Sequence, residues 1–126
     1  IVTGVTNTDN RPCATSITGC TNEGKVESIA KGNYTYTAGI CVIYNGSNGS
    51  AYADDLIINN CVNNGEIEGD AVAGIIGNSS GNLKLSDCEN NGAINGRYSA
   101  GGIAQCIENK NSNEAEVSNC IKKQQE

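Results

Sequence analysis

The chain has 126 residues, with 8 basic and 14 acidic side chains, a net charge of −6, and no His, Met, Trp or Phe. Without His there is no Ser-His-Asp triad, no Cys-His dyad and no His-ligated zinc or haem, and an acidic balance without a basic cluster argues against binding to nucleic acid or anionic membranes. The 16 Gly and 19 Asn do not favour helices, no apolar run is long enough to span a bilayer, and the length fits one domain. The missing initiator Met predicts a processed chain or a fragment of a longer protein.

Taken in chain order, the sequence alternates two short motifs. The first is Cys-x-Asn-x-Gly-x-(Val/Ile), which occurs three times and is followed by a degraded fourth copy. Its repeated positions are Cys20, Asn22 and Gly24; Cys61, Asn63 and Gly65; Cys88, Asn90 and Gly92; and Cys120. The second motif is a Gly-Ile pair that begins at Gly39, Gly74 and Gly102, and residues 3–5 resemble a worn copy of it.

Within each repeat the pattern predicts short strands. Along 65–70 the chain alternates, so that Ile67 points to one side and the acidic residues point to the other. The Asn-Gly pairs at 64–65, 91–92 and 95–96 predict turns, because both residue types accept positive φ. Asn side chains at successive corners of a stack are also expected to form amide ladders along it.

These features predict an all-β fold, a parallel β-solenoid of the right-handed β-helix kind with about three to four irregular coils. Residues 1–126 are expected to form a single repeat domain. The alternative is an antiparallel β-sandwich with Asn-Gly hairpins. A sandwich gives no reason for the same Cys, Asn, Gly and Ile to recur at matched offsets, whereas stacked coils do.

The two motifs resemble the GLUG-type repeats of large bacterial surface and secreted adhesin-like proteins, which also occur in the non-catalytic part of some IgA-cleaving metalloproteases. Residues 72–77 match the Gly-(Leu/Ile)-x-Gly core most closely, while 100–104 and 37–42 depart from it. The resemblance implies a right-handed β-helix-like module on a cell surface. It does not imply protease activity, because the zinc motif of those enzymes needs His.

The chain contains seven cysteines. The four that share the motif position predict an inward column of small buried side chains, since stacked strands lie about 4.8 Å apart. Cys13, Cys41 and Cys106 lie off this column. In an oxidising compartment a disulfide could form between two of them, or between Cys13 and a cysteine of the column. Because seven is odd, at least one thiol is free or joins another molecule.

Acidic residues of one repeat form the candidate metal site. Glu66, Glu68 and Asp70 alternate along one predicted strand and are expected to face the same side. Their oxygens suit calcium, and no other cofactor is expected. A carboxylate pair on such a face would also suit a glycosidase. The simpler interpretation is a solvated outer face, and no cluster of Arg or Lys accompanies these acids in the sequence.

Tyrosines form the candidate ligand-binding surface, since their rings can stack on a sugar or pack against a protein partner. Four of the five lie in and around the longest repeat, namely Tyr34, Tyr36, Tyr44 and Tyr52. The alternative is that these rings pack an irregular loop against the body of the fold.

The sequence therefore predicts a non-enzymatic structural or adhesion module, extracellular or on the cell surface, that displays loops for binding a glycan or a protein. Neither membrane insertion nor nucleic-acid binding is expected. One alternative is a filament or surface-assembly subunit, because solenoid ends expose unpaired strand edges onto which copies can stack end to end. The other is a carbohydrate-active β-helix enzyme that uses the outward carboxylates.

Overall fold

The computed structural model describes residues 1–6, 14–30, 34–45, 55–108 and 114–123. Within these ranges the chain is all-β, with strands and turns and no helix. It follows that the described part of the chain offers no helix that could cross a membrane.

The strands fall into four successive units. Unit 1 contains β1 (Val2–Thr6), β2 (Ala14–Thr18), β3 (Thr21–Asn22), β4 (Val26–Glu27) and β5 (Tyr36–Ala38). Unit 2 contains β6 (Cys41–Asn45), β7 (Asp55–Asn59), β8 (Val62–Asn63) and β9 (Ile67–Ala73). Unit 3 contains β10 (Ile76–Ser79), β11 (Asn82–Ser86), β12 (Glu89–Asn90) and β13 (Ile94–Gly101). Unit 4 contains β14 (Ala104–Ile107), β15 (Ala115–Ser118) and β16 (Ile121–Lys122).

Equivalent strands of the four units pair side by side into four parallel sheets. Sheet A has the order β1-β6-β10-β14, sheet B the order β2-β7-β11-β15, and sheet C the order β3-β8-β12-β16. In sheet D, β13 pairs with β9, which pairs in turn with both β4 and β5. Strand order thus follows chain order, an arrangement compatible with a β-helix or solenoid. The antiparallel sandwich is excluded for these strands, because the described pairings are parallel.

The register brings the repeated motif positions onto one another. Thr21 pairs with Val62, and Val62 with Glu89, which pairs with Ile121. The residues that precede these four are the motif cysteines, and the residues that follow are Asn22, Asn63, Asn90 and Lys122. Each motif position therefore runs as a column through the units, and Lys122 takes the asparagine position in unit 4.

The core lies between sheets A and B. Ile58 of β7 and Leu85 of β11 are in register and fully buried, as are Cys41 of β6 and Ile76 of β10. Burying an aliphatic side chain of this size contributes about 2 kcal/mol. Aliphatic side chains in register thus build this core without any of the larger aromatic residues except Tyr44.

Left-handed corners precede the cysteines and do not lie at the Asn-Gly pairs. The turns predicted at 64–65 and 91–92 are bends without positive φ, whereas residues 95–96 lie within β13, so the turn predicted there is wrong. The positive-φ residues Gly19, Asn60, Asp87 and Asn119 occupy one register position just before the motif cysteine. Gly, Asn and Asp are the residue types that tolerate this conformation. Gly65 and Gly92 are instead required by close stacking, since a Cβ on either would collide with the carbonyl oxygen of the motif glycine in the preceding unit, at 2.0 Å for Gly65.

Residues 3–5 are not equivalent to the Gly-Ile motif. Val2 pairs with Cys41 and Gly4 pairs with Ile43, so the residue level with Ile40 is Ile1. Residues 3–5 therefore resemble the Gly-Ile motif in sequence but do not occupy its position in the stack.

Candidate functional site

Sheet D is irregular at one level, and this irregularity builds a site. Strands β4 and β5 both pair with β9, with Glu27 opposite Glu68 and Tyr36 opposite Ala71. Between these two pairings, Gly69 and Asp70 of β9 have no register partner in either strand. In unit 3 the register shifts between Gly96 and Ser99, which inserts one residue at the same level.

Asp70 is a fully buried carboxylate at the centre of this irregularity. The Arg97 Nε–H donates to its Oδ1 at 2.6 Å, and the Thr35 backbone N–H donates to its Oδ2 at 3.2 Å. The second arm of Arg97 donates to the carbonyl oxygens of Ala30 at 2.9 Å and Ser28 at 3.3 Å. The hydrogen bond from Arg97 lowers the pKa of Asp70, which keeps it ionised as a paired buried charge.

Three tyrosines are sequence neighbours of the residues that bond Asp70, since Tyr34 and Tyr36 flank Thr35 and Tyr98 follows Arg97. We call Tyr34, Tyr36 and Tyr98 the tyrosine surface. The ring of Tyr34 stacks on that of Tyr98, with centroids 5.7 Å apart and planes 25° apart. It meets the ring of Tyr36 edge-on at 5.9 Å. Tyr34 is 47% exposed and Tyr98 64% exposed, so the stacked pair faces solvent.

Hydrogen bonds fix the orientation of Tyr34. Its hydroxyl shares a hydrogen bond with the Ser99 hydroxyl at 3.1 Å, and Gln105 Nε2 donates to that same Ser99 oxygen at 2.8 Å. The backbone of Tyr34 has a φ of 48°, which is rare for a bulky residue and persists only where the surroundings fix it. The next residue, Thr35, is the one bonded to Asp70, so the ion pair anchors this conformation.

The other two predicted tyrosines do not belong to this surface. Tyr44 is 2% exposed in the core, where a Cβ on Gly81 would lie 2.6 Å from its ring. Its side chain is therefore not available to a ligand on the surface. Tyr52 lies outside the described residues.

Tyr98 is the member that sequence reasoning missed. The stretch from the glycine of the first motif to the glycine of the second runs from 92 to 102 in unit 3 and from 65 to 74 in unit 2. It is therefore one residue longer in unit 3. That extra residue is the sequence signal of the bulge that carries Arg97 and Tyr98.

The predicted calcium ligands do not form one cluster. Glu66 and Glu68 are on the outer side of the sheet, where Lys25 Nζ lies 2.9 Å from Glu68 and 4.0 Å from Glu66. The hydrogen bond to Glu68 raises the pKa of Lys25. Asp70 is covered by Thr35 and held by Arg97, although alternation predicted that it would face out beside the glutamates.

Cations of the chain itself therefore pair with these acids. Lys25 comes from unit 1 and Arg97 from unit 3, so the sequence around the acids in unit 2 did not reveal either partner. Across the described ranges no group of three or more Cys, Asp or Glu side chains is placed to hold a metal ion.

The four cysteines of the column are free thiols, and the two in the middle are buried while the two at the ends are partly exposed. Cys20, Cys41, Cys61, Cys88, Cys106 and Cys120 are free, and Cys13 lies outside the described residues. The Cys88 thiol donates to the carbonyl oxygen of Ser86 at 3.2 Å, and burial raises its pKa to about 12. Such a thiol stays protonated at neutral pH and is a poor nucleophile or metal ligand.

The asparagine column forms the expected ladder. Asn22 Nδ2 donates to Asn63 Oδ1 at 2.7 Å, and Asn63 Nδ2 donates to Asn90 Oδ1 at 2.7 Å. Each amide also donates to the carbonyl oxygen of the motif glycine two residues later, at 2.8 Å in units 1 and 2 and at 3.3 Å in unit 3.

The second motif packs against this ladder from the other side of the interior. A Cβ on Gly39 would lie 2.6 Å from Asn63 Oδ1, and one on Gly74 would lie 2.5 Å from Asn90 Cγ. In unit 4 the equivalent Gly102 faces Lys122. The two motifs are therefore two sides of one contact, and their glycines make room for the asparagines.

Comparison of the chain with protein-family models, with curated proteins and with solved structures finds no match.

Proposed function

We propose that this chain is a right-handed β-solenoid module of an extracellular or cell-surface protein, akin to the GLUG-type repeats, and that the tyrosine surface binds a glycan. The four parallel sheets stacked in chain order support the solenoid. The observation that carries the binding role is the solvent-facing stack of Tyr34 on Tyr98, whose sequence neighbours Thr35 and Arg97 both bond the buried Asp70.

A fixed aromatic platform suits a sugar for two physical reasons. The face of a tyrosine ring packs against the C–H groups of a pyranose, and little conformational entropy is lost when the ring is already held in place. Ser99 and Gln105 add hydroxyl and amide groups beside Tyr34, where sugar hydroxyls can find hydrogen-bond partners.

We infer a binding role without catalysis. Lys25 lies between Glu66 and Glu68, and Asp70 is paired with Arg97, so none of the three is an unpartnered carboxylate poised as an acid or nucleophile. A glycosidase needs two such carboxylates on either side of the scissile bond.

The test is a glycan array, followed by calorimetric titration of the strongest hit. Tyr98→Ala and Tyr34→Ala are each expected to weaken binding at least tenfold. Val117→Ala is the matched control, because Val117 is 47% exposed, as Tyr34 is, but lies on sheet B away from the tyrosine surface. If the wild-type chain binds no glycan, or if both tyrosine variants bind as tightly as wild type, the glycan role is wrong.

A further inference from the structure

The two ends of the stack present strand edges that are open in the described residues. In sheets A, B and C, the strands of unit 1 pair only with unit 2, and those of unit 4 pair only with unit 3. Such edges present a row of backbone N–H and C=O groups that template pairing with another strand.

The side chains on these two edges continue the same columns. Ile17 of β2 and Val117 of β15 occupy one register position, through Ile58 and Leu85 between them. Val117 is 47% exposed and Ile121 is 50% exposed, so the last unit leaves apolar side chains uncovered. A strand placed on β15 in the same parallel register would bring an Ile17 next to Val117.

The polar columns have a direction, and their two ends are complementary. Asn22 donates to the Oδ1 of Asn63 in the next unit, and Asn63 donates in the same way to Asn90. At the start of this ladder, the Oδ1 of Asn22 accepts no hydrogen bond from the described residues. The ladder position in unit 4 is Lys122, whose ammonium only donates. The open acceptor of the first unit thus matches the donor of the last.

The neighbouring outer column shows charge complementarity as well. It contains Glu23, Asn64, Asn91 and Lys123, with Asn91 donating to Asn64 and Asn64 to Glu23. Continuing this column from unit 4 to a new unit 1 would bring Lys123 beside Glu23. Glu116 would lie beside Ser16, so neither of these two positions brings like charges together across the join.

We propose that the partner of this edge is a second copy of the chain: unit 4 of one copy docks, parallel and in register, onto unit 1 of the next. The join continues sheets A, B and C from copy to copy. It also places Cys120 of one copy level with Cys20 of the next, because these two residues begin and end the cysteine column. Both thiols are half-buried, unlike the fully buried Cys61.

The test cross-links the chain through thiols with dibromobimane, a short reagent that bridges two nearby cysteines. The wild-type chain is expected to give a ladder of covalent multimers, whereas Cys20→Ser alone and Cys120→Ser alone give none. A mixture of the two variants is expected to give a covalent dimer and nothing larger, because each pair of chains then has one complete junction. A ladder from either single variant, or no dimer from the mixture, would overturn the proposal.

A second variant tests the same edge without using cysteine. Val117→Lys adds a charge to a side chain that is already exposed in the single chain, so folding should be retained and measured by circular dichroism. Ser118→Lys is the matched control, since neighbouring side chains along a strand point to opposite faces. Sedimentation velocity from micromolar to millimolar chain is expected to show growth for wild type and Ser118→Lys, and a constant monomer for Val117→Lys. A wild-type chain that stays monomeric throughout, or a Val117→Lys chain that grows like wild type, would contradict the docking.

Discussion

Arg97 of unit 3 donates from its Nε to the buried Oδ1 of Asp70 in unit 2 at 2.6 Å, and its other arm reaches the backbone of Ala30 in unit 1 at 2.9 Å. One side chain therefore links three units at the level where sheet D is irregular. A buried charge that is paired is tolerated, but the same charge without its partner strongly destabilises a fold.

Arg97→Met should accordingly destabilise the protein and loosen the tyrosine surface. The substitution keeps an unbranched side chain of similar reach but leaves Asp70 without its cation. Urea unfolding is expected to show a lower midpoint, and the near-ultraviolet circular dichroism of the tyrosines should weaken. The double variant with Asp70→Asn should recover part of the loss, because the uncompensated charge is then gone. Equal or greater loss in the double variant would mean that the two residues act independently.

Stability should depend on pH through Asp70 in a window near and below pH 4. The pKa of Asp70 in the folded chain is lowered, chiefly by the hydrogen bond from Arg97, from an unfolded value of about 4. The unfolded chain then binds the proton more readily, so this stabilisation is complete above the unfolded pKa and is lost as pH falls through the folded one.

The measurement is the difference in unfolding free energy between wild type and Asp70→Asn, followed from pH 7 down through the acid range. We expect a difference that is constant at neutral pH and shrinks below about pH 4. Glu89, whose pKa is also lowered by Lys123, contributes equally to both chains and cancels. A difference that does not change with pH would show that Asp70 does not titrate in this way.

Two glycines at the same motif position should respond oppositely to substitution. A Cβ on Gly65 would lie 2.0 Å from the carbonyl oxygen of Gly24, whereas a Cβ on Gly24 has no atom within 4 Å. Gly65→Ala should therefore cost about 1–3 kcal/mol through overpacking. Gly24→Ala should be neutral or slightly stabilising, because neither glycine has positive φ and the unfolded chain loses freedom. Thermal unfolding of the two variants side by side is the check, and equal losses would contradict the stacking argument.

The repeated positions were predictable from the sequence, and the site was not. Motif residues stack because each unit reuses them at one register, so the asparagine ladder follows from spacing alone. The tyrosine surface is built where units differ, from Tyr34 just before β5 and from the extra residue beside Arg97. Contacts between non-repeated segments carry no periodic signal. Tyr44 illustrates the same limit, since its burial depends on the space left by Gly81 in the next unit.

The asparagine ladder should be more important to stability in its middle than at the surface. Asn63 is fully buried, accepts from Asn22, and donates to Asn90 and to the carbonyl of Gly65. Asn63→Ala removes these bonds and leaves buried partners unsatisfied, at about 3 kcal/mol in total. Asn64→Ala is the matched control, because that exposed neighbour bonds only at the outer surface and should cost under about 0.5 kcal/mol. Urea unfolding of both variants distinguishes the two, and similar losses would show that the inner ladder has no special part in stability.

The cysteine column should divide into reactive and protected thiols. Cys61 and Cys88 are buried in the middle of the column, and burial raises the pKa of both, whereas Cys20 and Cys120 at its ends are partly exposed. Since only the thiolate reacts, iodoacetamide at pH 8 and a chain concentration low enough to prevent docking should label the two end residues quickly. The two middle ones should react only when the chain unfolds. Peptide mapping by mass spectrometry after timed labelling gives the rate at each position. Labelling in urea is the control that all four residues are chemically competent, and equal native rates at Cys20 and Cys88 would contradict the buried column.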